Sequence, residues 1–215
     1  MVALEPFGDT AWRARLPKGH DGASRRDLLE ALRALLGVVD AVVSEEHALV
    51  VLARGAPDDG LQEAIGRTLA RTPASARDEP TRPELREHRV VVRYDGADLA
   101  EVASASGLSQ EEVVALHTGT SYEVAVVGFL PGFAYLRTVD PRLVLPRRAT
   151  PRPRVPALSV AIAGPYTGVY PFASPGGWHL LGTALDFTPF DARAGALMAL
   201  GDRVRFVAHV DESAP

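Results

Sequence analysis

The run Gly128-Phe129-Leu130-Pro131-Gly132-Phe133-Ala134-Tyr135-Leu136 sets Phe129, Phe133 and Tyr135 close together on a backbone stiffened by glycine and proline. Rigid aromatics at a strand end make a wall for a small ligand. The same composition also suits a tight turn that sends aromatics into a core. Residues 137–156 then carry Arg137, Arg142, Arg147, Arg148, Arg152 and Arg154 among prolines, with Asp140 as the only acid. Proline holds such a chain extended, and guanidinium forks match carboxylate or phosphate oxygens in pairs. A solvated basic loop, or a surface for an acidic partner, is the competing reading. Ser159 and Thr167 flank a buried-looking strand that ends near Tyr170, but neither sits in a Gly-x-Ser-x-Gly elbow. Ser174-Pro175-Gly176-Gly177-Trp178-His179 joins two glycines, which permit close backbone approach and leave N–H groups for an anion, to a large flat ring. His117 falls at the end of a predicted helix, where the helix C-terminus favours its protonated form. It can serve as a catalytic acid or base, or pack and cap the helix.

Other chemistries are removed by composition. There is no cysteine, hence no disulfide, thiolate nucleophile or cysteine-bound metal. The six histidines include no i, i+4 pair and no His-Glu-x-x-His, so no protein-bound metal is expected. Lys18 is the only lysine, so a Walker-A loop is absent and a buried Schiff-base lysine has no candidate. A net charge of −4 argues against whole-molecule binding to nucleic acid or anionic membrane. No apolar run approaches the ~18 residues of a membrane span, and the N-terminus lacks the pattern of a signal peptide. A cytoplasmic location fits these features.

The elements that must position the site fall into two groups. Residues 4–16 read as a strand pair around Phe7-Gly8-Asp9. Ser24 caps a helix whose stripe is Leu28, Leu29, Leu32, Leu35 and Leu36, ended by Gly37. Residues 38–43 and 48–53 form a hairpin, and Asp58 and Asp59 open a second helix with Leu61, Ile65 and Leu69 inward. This β-β-α-β-β-α order predicts an α+β sandwich with helices on one sheet face. Residues 72–88, proline-rich and charged, are the best linker, which places the domains at 1–82 and 83–215. A strand over 89–94 and helices over 98–106 and 109–118 follow, the latter with Ser109 and Glu112 as a capping box. Beyond residue 120, short apolar runs between Gly/Pro punctuation predict a β-barrel or β-sandwich.

An ordered set of short strings from about residue 90 to 207 resembles the family of 5-oxoprolinase B-type subunits, also called allophanate hydrolase subunit 1. They are Tyr94-Asp95-Gly96 with Asp98-Leu99, Leu116-His117, residues 128–136, Pro146-Arg147-Arg148, Pro151-Arg152, Val155-Pro156, Ser159-Val160, Thr167-Gly168-Val169-Tyr170-Pro171 and Ser174-Pro175-Gly176-Gly177-Trp178 followed by Gly182-Thr183. The resemblance implies an N-terminal α/β domain and a C-terminal cyclophilin-like β-barrel. It implies two partners in a heteromeric complex, a C-type protein (allophanate hydrolase subunit 2-like) and an A-type protein. It also implies ATP shared among the subunits, with magnesium accompanying it. The implied reaction opens the lactam of 5-oxo-L-proline to L-glutamate, with the chain inactive alone. Under it, His117, Arg147, Arg148 and Arg154 are catalytic candidates. Phe129, Pro131, Phe133, Tyr135, Ser159, Tyr170, Gly176, Gly177 and Trp178 are substrate-binding candidates. The family also contains an inhibitor of a sporulation kinase, so a module that binds a sensor histidine kinase is the alternative. Urea or allophanate hydrolysis is a third reading, with no feature that favours it. Two positions depart from the family pattern: Leu158 replaces a glycine and Tyr166 a glutamine, which predicts a reshaped pocket.

Overall fold

In the first half of the chain, turn chemistry decides where strands meet. In the computed structural model, which describes residues 2–55, 60–70 and 84–210, β1 (Leu4–Pro6) and β2 (Ala11–Arg15) are joined by a turn with Gly8 at φ 70°. β3 (Val38–Val43) and β4 (His47–Leu52) form the expected hairpin, and the antiparallel sheet runs β1-β2-β4-β3. α1 (Gly22–Arg33) packs on β3, and α2 (Leu61–Leu69) packs on α1. The α1 cap differs from expectation. Asp21, in extended backbone, accepts the Ser24 N–H at 2.8 Å and the Ser24 hydroxyl, so Ser24 is inside the helix. Helix α1 also stops before Gly37, which takes φ 92° in the link to β3. Leu28 and Leu32 are buried, whereas Leu36, beyond the last turn, lies off the helical stripe and is 94% exposed. For α2, Leu61, Ile65 and Leu69 are buried as expected, and Gly60 precedes the helix at φ 86°. Asp58 and Asp59 lie outside the described residues.

The chain divides into compact units Met1–Leu85 and Arg86–Pro215. The boundary expected between residues 82 and 83 falls outside the described residues. The expected linker ends earlier than 88, because Glu87 and His88 already pair in parallel with Arg203 and Val204.

The second unit contains β5 (Glu87–Arg93), α3 (Leu99–Ser106), α4 (Gln110–Gly119), β6 (Ser121–Val127) and β7 (Ala134–Arg137). After these come β8 (Arg152–Val155), β9 (Ser159–Ala163), β10 (Tyr166–Val169), β11 (Ser174–Gly176) and β12 (His179–Leu185). The last strands are β13 (Phe190–Asp191), β14 (Gly195–Ala196) and β15 (Arg203–Ala208). Seven strands close a barrel in the order β10-β7-β6-β15-β5-β12-β9, while β8 and β11 form a separate two-stranded ribbon. The fold is therefore α+β with a closed barrel. The expected capping box is present: Ser109 Oγ accepts the Glu112 N–H, and Glu112 accepts the Ser109 N–H at 2.7 Å.

Strand alternation sorts side chains to the two faces of the barrel wall. Val160 and Ile162 of β9, Val169 of β10, Ala134 and Leu136 of β7, and Val204 and Phe206 of β15 fill the interior. Ala161 and Ala163, with Phe133, Tyr170 and Trp178, form a second apolar cluster on the other face. Val155 of the β8–β11 ribbon packs into that outer cluster.

Candidate functional site

The aromatic cluster begins at a strained turn. Gly128 N–H donates to the Phe133 carbonyl, and Phe133 N–H to the Leu130 carbonyl, which folds residues 128–133 back between β6 and β7. Phe129 takes φ 76°, a conformation that costs a non-glycine residue roughly 1 kcal/mol or more. Gly132 takes φ 81°, and a Cβ there would lie 2.6 Å from the Pro189 carbonyl oxygen, so only glycine fits.

Phe133 then becomes the hub of edge-to-face contacts with Phe129 (5.5 Å), Tyr135 (5.0 Å), Tyr170 (5.4 Å) and Trp178 (5.5 Å). Tyr135 extends the array to Tyr166 at 5.7 Å. Ring pairs of this geometry add about 0.5–1.5 kcal/mol each beyond burial. Five residues expected at the substrate wall, Phe129, Phe133, Tyr135, Tyr170 and Trp178, thus come together. They do not play one part. Phe133, Tyr170 and Trp178 are almost fully buried and support the wall from beneath. Tyr135 and Tyr166 are half-buried and Phe129 is 59% exposed, so these three face outward. Pro131 is exposed at the turn, and Ser159 is buried beside Tyr170, whose N–H it accepts through its carbonyl.

The Gly176-Gly177 step also differs from expectation. Gly176 is in β11, paired with Arg152, and a Cβ there would collide with the Tyr170 hydroxyl. Gly177 uses its carbonyl to accept the Arg148 N–H at 2.8 Å. The glycines admit a ring and a strand.

Asp98, which the sequence offers only as part of a string, is the centre of the basic segment. It is 2% exposed. Arg148 Nη1 (3.0 Å) and Arg152 Nη2 (2.6 Å) both donate to its Oδ1, while the Leu180 N–H donates to Oδ2 at 2.7 Å. Arg148 Nη1 also reaches Glu101 at 2.6 Å. Burial alone would push the Asp98 carboxyl up. The Arg152 and Leu180 hydrogen bonds and the two guanidinium charges outweigh it and hold the group below the usual aspartate range. Gly96 allows this placement: its Cα lies flush against β12, where a Cβ would run into the Leu180 carbonyl. The one sequence signal for Asp98 is its position just ahead of helix α3, where it also resembles an ordinary cap; its side chain makes no cap hydrogen bond.

The strap of residues 146–152 is therefore fixed at several points. His179 Nε2 donates to the Pro146 carbonyl at 2.9 Å, Arg148 N–H binds Gly177, and both Arg148 and Arg152 are tied to Asp98. Among the catalytic candidates, Arg148 is consumed in this clamp through its Nη1. Arg147 and Arg154 are exposed. The charge of Arg147 opposes the upward push of burial on the phenols of Tyr135 and Tyr170, the latter raised to about 12.

His117 is not at this site. It is 0% exposed inside the barrel, against Phe206 at 4.4 Å and Tyr122 at 5.4 Å. The Thr167 hydroxyl donates its proton to the Ala161 carbonyl (3.0 Å), so its oxygen accepts His117 Nε2–H at 2.8 Å. His117 Nδ1 then accepts the Tyr94 hydroxyl at 2.7 Å. Both ring nitrogens are used. Desolvation drives the pKa down to about 3, which reverses the protonated state expected from the helix terminus. A catalytic proton transfer by His117 finds no geometry here.

Comparison with known proteins matches this architecture. Residues 2–199 match the model of the family described as carboxyltransferase domain, subdomain C and D. A protein from Escherichia coli O157:H7, named as the B-type subunit of 5-oxoprolinase, is 42% identical over 184 residues, 84% of this chain and 82% of that one. One of the same name from Bacillus subtilis is 47% identical over 113 residues, 52% of this chain and 47% of that one. The crystal structure of TTHA0988 superposes with a TM-score of 0.78 at 40% identity, covering 100% of this chain and 42% of that one. The chain thus spans most of one relative and about half or less of the other two. On its matched residues and its fold, the chain belongs to the carboxyltransferase-domain subdomain C and D family that includes the proteins named as 5-oxoprolinase B-type subunits.

Proposed function

We propose that the chain is one subunit of a heteromeric, ATP-dependent 5-oxoprolinase that opens 5-oxo-L-proline to L-glutamate with C-type and A-type partner proteins. The observation that carries this reading is the 42% identity to the E. coli protein across 84% of the chain, which spans the aromatic cluster and the arginine strap. A lactam is a poor electrophile. ATP supplies a phosphoryl group for the lactam oxygen, with ADP as the leaving group. Water then adds at the ring carbon, the C–N bond breaks and the nitrogen takes a proton, which leaves an acyl phosphate on the opened chain; a second water hydrolyses it to the carboxylate and releases phosphate. Stabilising such a transfer needs fixed positive charge and a site that excludes water.

This chain's residues offer part of that site. Tyr135 and Tyr166 give an aromatic edge for a five-membered ring, and Arg147 and Arg154 give exposed cations for an anionic group. The chain has guanidiniums but no Walker-A lysine. Nucleotide and magnesium are assigned in this reading to a site shared with partners, with the chain inactive alone. Co-expression with the C-type and A-type proteins, followed by a 5-oxoproline-dependent ATPase assay, tests the reading. Turnover by the complex and none by the chain alone is expected. A stable complex without turnover overturns it and favours a binding module. In that case the exposed Phe129 and Phe172, 59% and 44% exposed, are the first residues to mutate.

A further inference from the structure

The arginine strap can serve two different anions in a lactam-opening reaction: the transferred phosphoryl group or a carboxylate on the ring. We infer that Arg147, carried by the strap alongside the Gly177–His179 segment, forms a subsite for the carboxylate of a small cyclic monocarboxylic acid, with Asp98 as its positioning residue. This rests on the 5-oxoproline reading for the identity of the ring acid, and on the geometry for its charge.

Hydrogen bonds to the main chain on either side fix the backbone of Arg147. On one side of it the Pro146 carbonyl is bound by His179, and on the other the Arg148 N–H is bound by Gly177. The residue between Gly177 and His179 is Trp178, so Arg147 runs alongside the aromatic cluster. Tyr135, in contact with Trp178 at 5.7 Å, is the half-buried member nearest that edge of the ring array. The charge balance then selects the ligand. The strap carries Arg147, Arg148 and Arg152, and the carboxylates of Asp98 and Glu101 are bound by Arg148 and Arg152. The strap retains one positive charge. A single guanidinium and a phenol match one carboxylate, with the fork donating to the oxygens. A triphosphate or a transferring phosphoryl group gathers several cations, and here two of the three are neutralised.

Asp98 matters because it removes the alternatives. With its carboxylate gone, Arg148 and Arg152 would be free to compete for the same anion, and the strap would lose the anchors that aim Arg147.

The probes are 5-oxo-L-proline, cyclopentanecarboxylate, 2-pyrrolidinone and inorganic phosphate, titrated calorimetrically into the full chain. Both carboxylates should bind at least ten-fold more tightly than pyrrolidinone, which has the ring without the carboxylate. Arg147→Gln should remove that preference without changing the melting temperature. Asp98→Asn should reduce it while letting phosphate bind. Equal binding of carboxylates and pyrrolidinone, binding of none of them, or phosphate binding to the unaltered chain overturns the subsite. In the reconstituted complex, Arg147→Gln should raise KM for 5-oxoproline at least ten-fold and leave KM for ATP within two-fold; the opposite split also overturns it. A complex with no turnover but a chain that still selects cyclopentanecarboxylate would reject the 5-oxoprolinase reading and keep the subsite.

Discussion

Two polar groups of residues sit on opposite faces of the same barrel wall, and they are built differently. Inside, Tyr94, His117 and Thr167 form a neutral chain that ends on the Ala161 carbonyl, with both His117 nitrogens engaged. Outside, Asp98, Arg148 and Arg152 form a charged clamp with buried nitrogens left over and a free-standing Arg147 beside it. A closed, neutral network specifies a core. A charged cluster with unfilled hydrogen-bonding capacity near the surface is suited to a ligand. The difference separates the histidine that sequence reasoning favours for catalysis from the aspartate that it passes over.

The comparison breaks most sharply at Asp98. Replacing it with alanine strips two guanidiniums and the Leu180 N–H of their acceptor at a buried position. Removing one partner of such a group costs about 3–5 kcal/mol. Asp98→Ala is therefore expected to lower the denaturant midpoint more than any single arginine substitution in the strap. A change below about 1 kcal/mol would mean that the clamp is not formed in solution.

His117 provides the matching cut inside the wall. His117→Phe keeps the ring volume but orphans the buried Tyr94 hydroxyl, at about 1–3 kcal/mol. The pH dependence is more telling. His117 is held at about 3 in the folded chain and titrates near 6.5 when unfolded. Between these values only the unfolded chain takes up the proton, so stability falls as pH drops through 6.5, at up to about 1.4 kcal/mol per unit. From pH 7 to 5 the loss is about 2 kcal/mol. Asp98 acts in the same direction but later. Its contribution is present above the ordinary aspartate value and is lost only as pH falls through its depressed folded value. His117→Phe should remove the first phase and leave the second. Measured by urea unfolding, the stability curves of the two proteins should converge between pH 7 and 4, and the second phase, below the ordinary aspartate value, should appear in both. Parallel curves would place a charged His117 inside the fold.

Much of this layout is legible in the sequence, and the exceptions have physical causes. The strand pair, the hairpin, α2, the capping box and the barrel region all follow from periodicity and turn residues, which act locally. The aromatic cluster is also legible, because Phe133 and Tyr135 share a strand face and Trp178 follows a glycine pair that lets Tyr170 pass. The Asp98 clamp is not. Its partners Arg148 and Arg152 lie 50 and 54 residues away, and Leu180 lies 82 residues away. No local pattern distinguishes such a buried acid from a helix cap. The charge state of His117 escapes sequence reasoning for the same reason. The helix end favours a proton locally, but desolvation by β10 and β15 wins by several pH units.

The smallest effect is expected at Leu158, the residue that joins the two faces. Its side chain packs against the interior core, while its N–H donates to the Tyr170 carbonyl at 2.7 Å, and its carbonyl accepts from Ala184 at 2.8 Å. It adopts φ 62°, the left-handed region in which glycine is favoured. The glycine that the family pattern carries there is thus explained by backbone conformation, and leucine adopts the same turn at a cost of about 1–2 kcal/mol. Leu158→Gly relieves that strain. It also gives up part of a leucine's burial, about 1–2 kcal/mol, and adds about 0.5–1 kcal/mol of unfolded-chain entropy. The terms nearly cancel, so the expected change is a loss of no more than about 1 kcal/mol, read as a small drop in the urea midpoint at pH 7. The His117 phase of the pH curve should stay unchanged, because the turn and its two backbone hydrogen bonds persist. A loss of about 3 kcal/mol or more, on the scale of a truncated core leucine, would show that Leu158 is held in place by its packing and that the interior core dictates the turn.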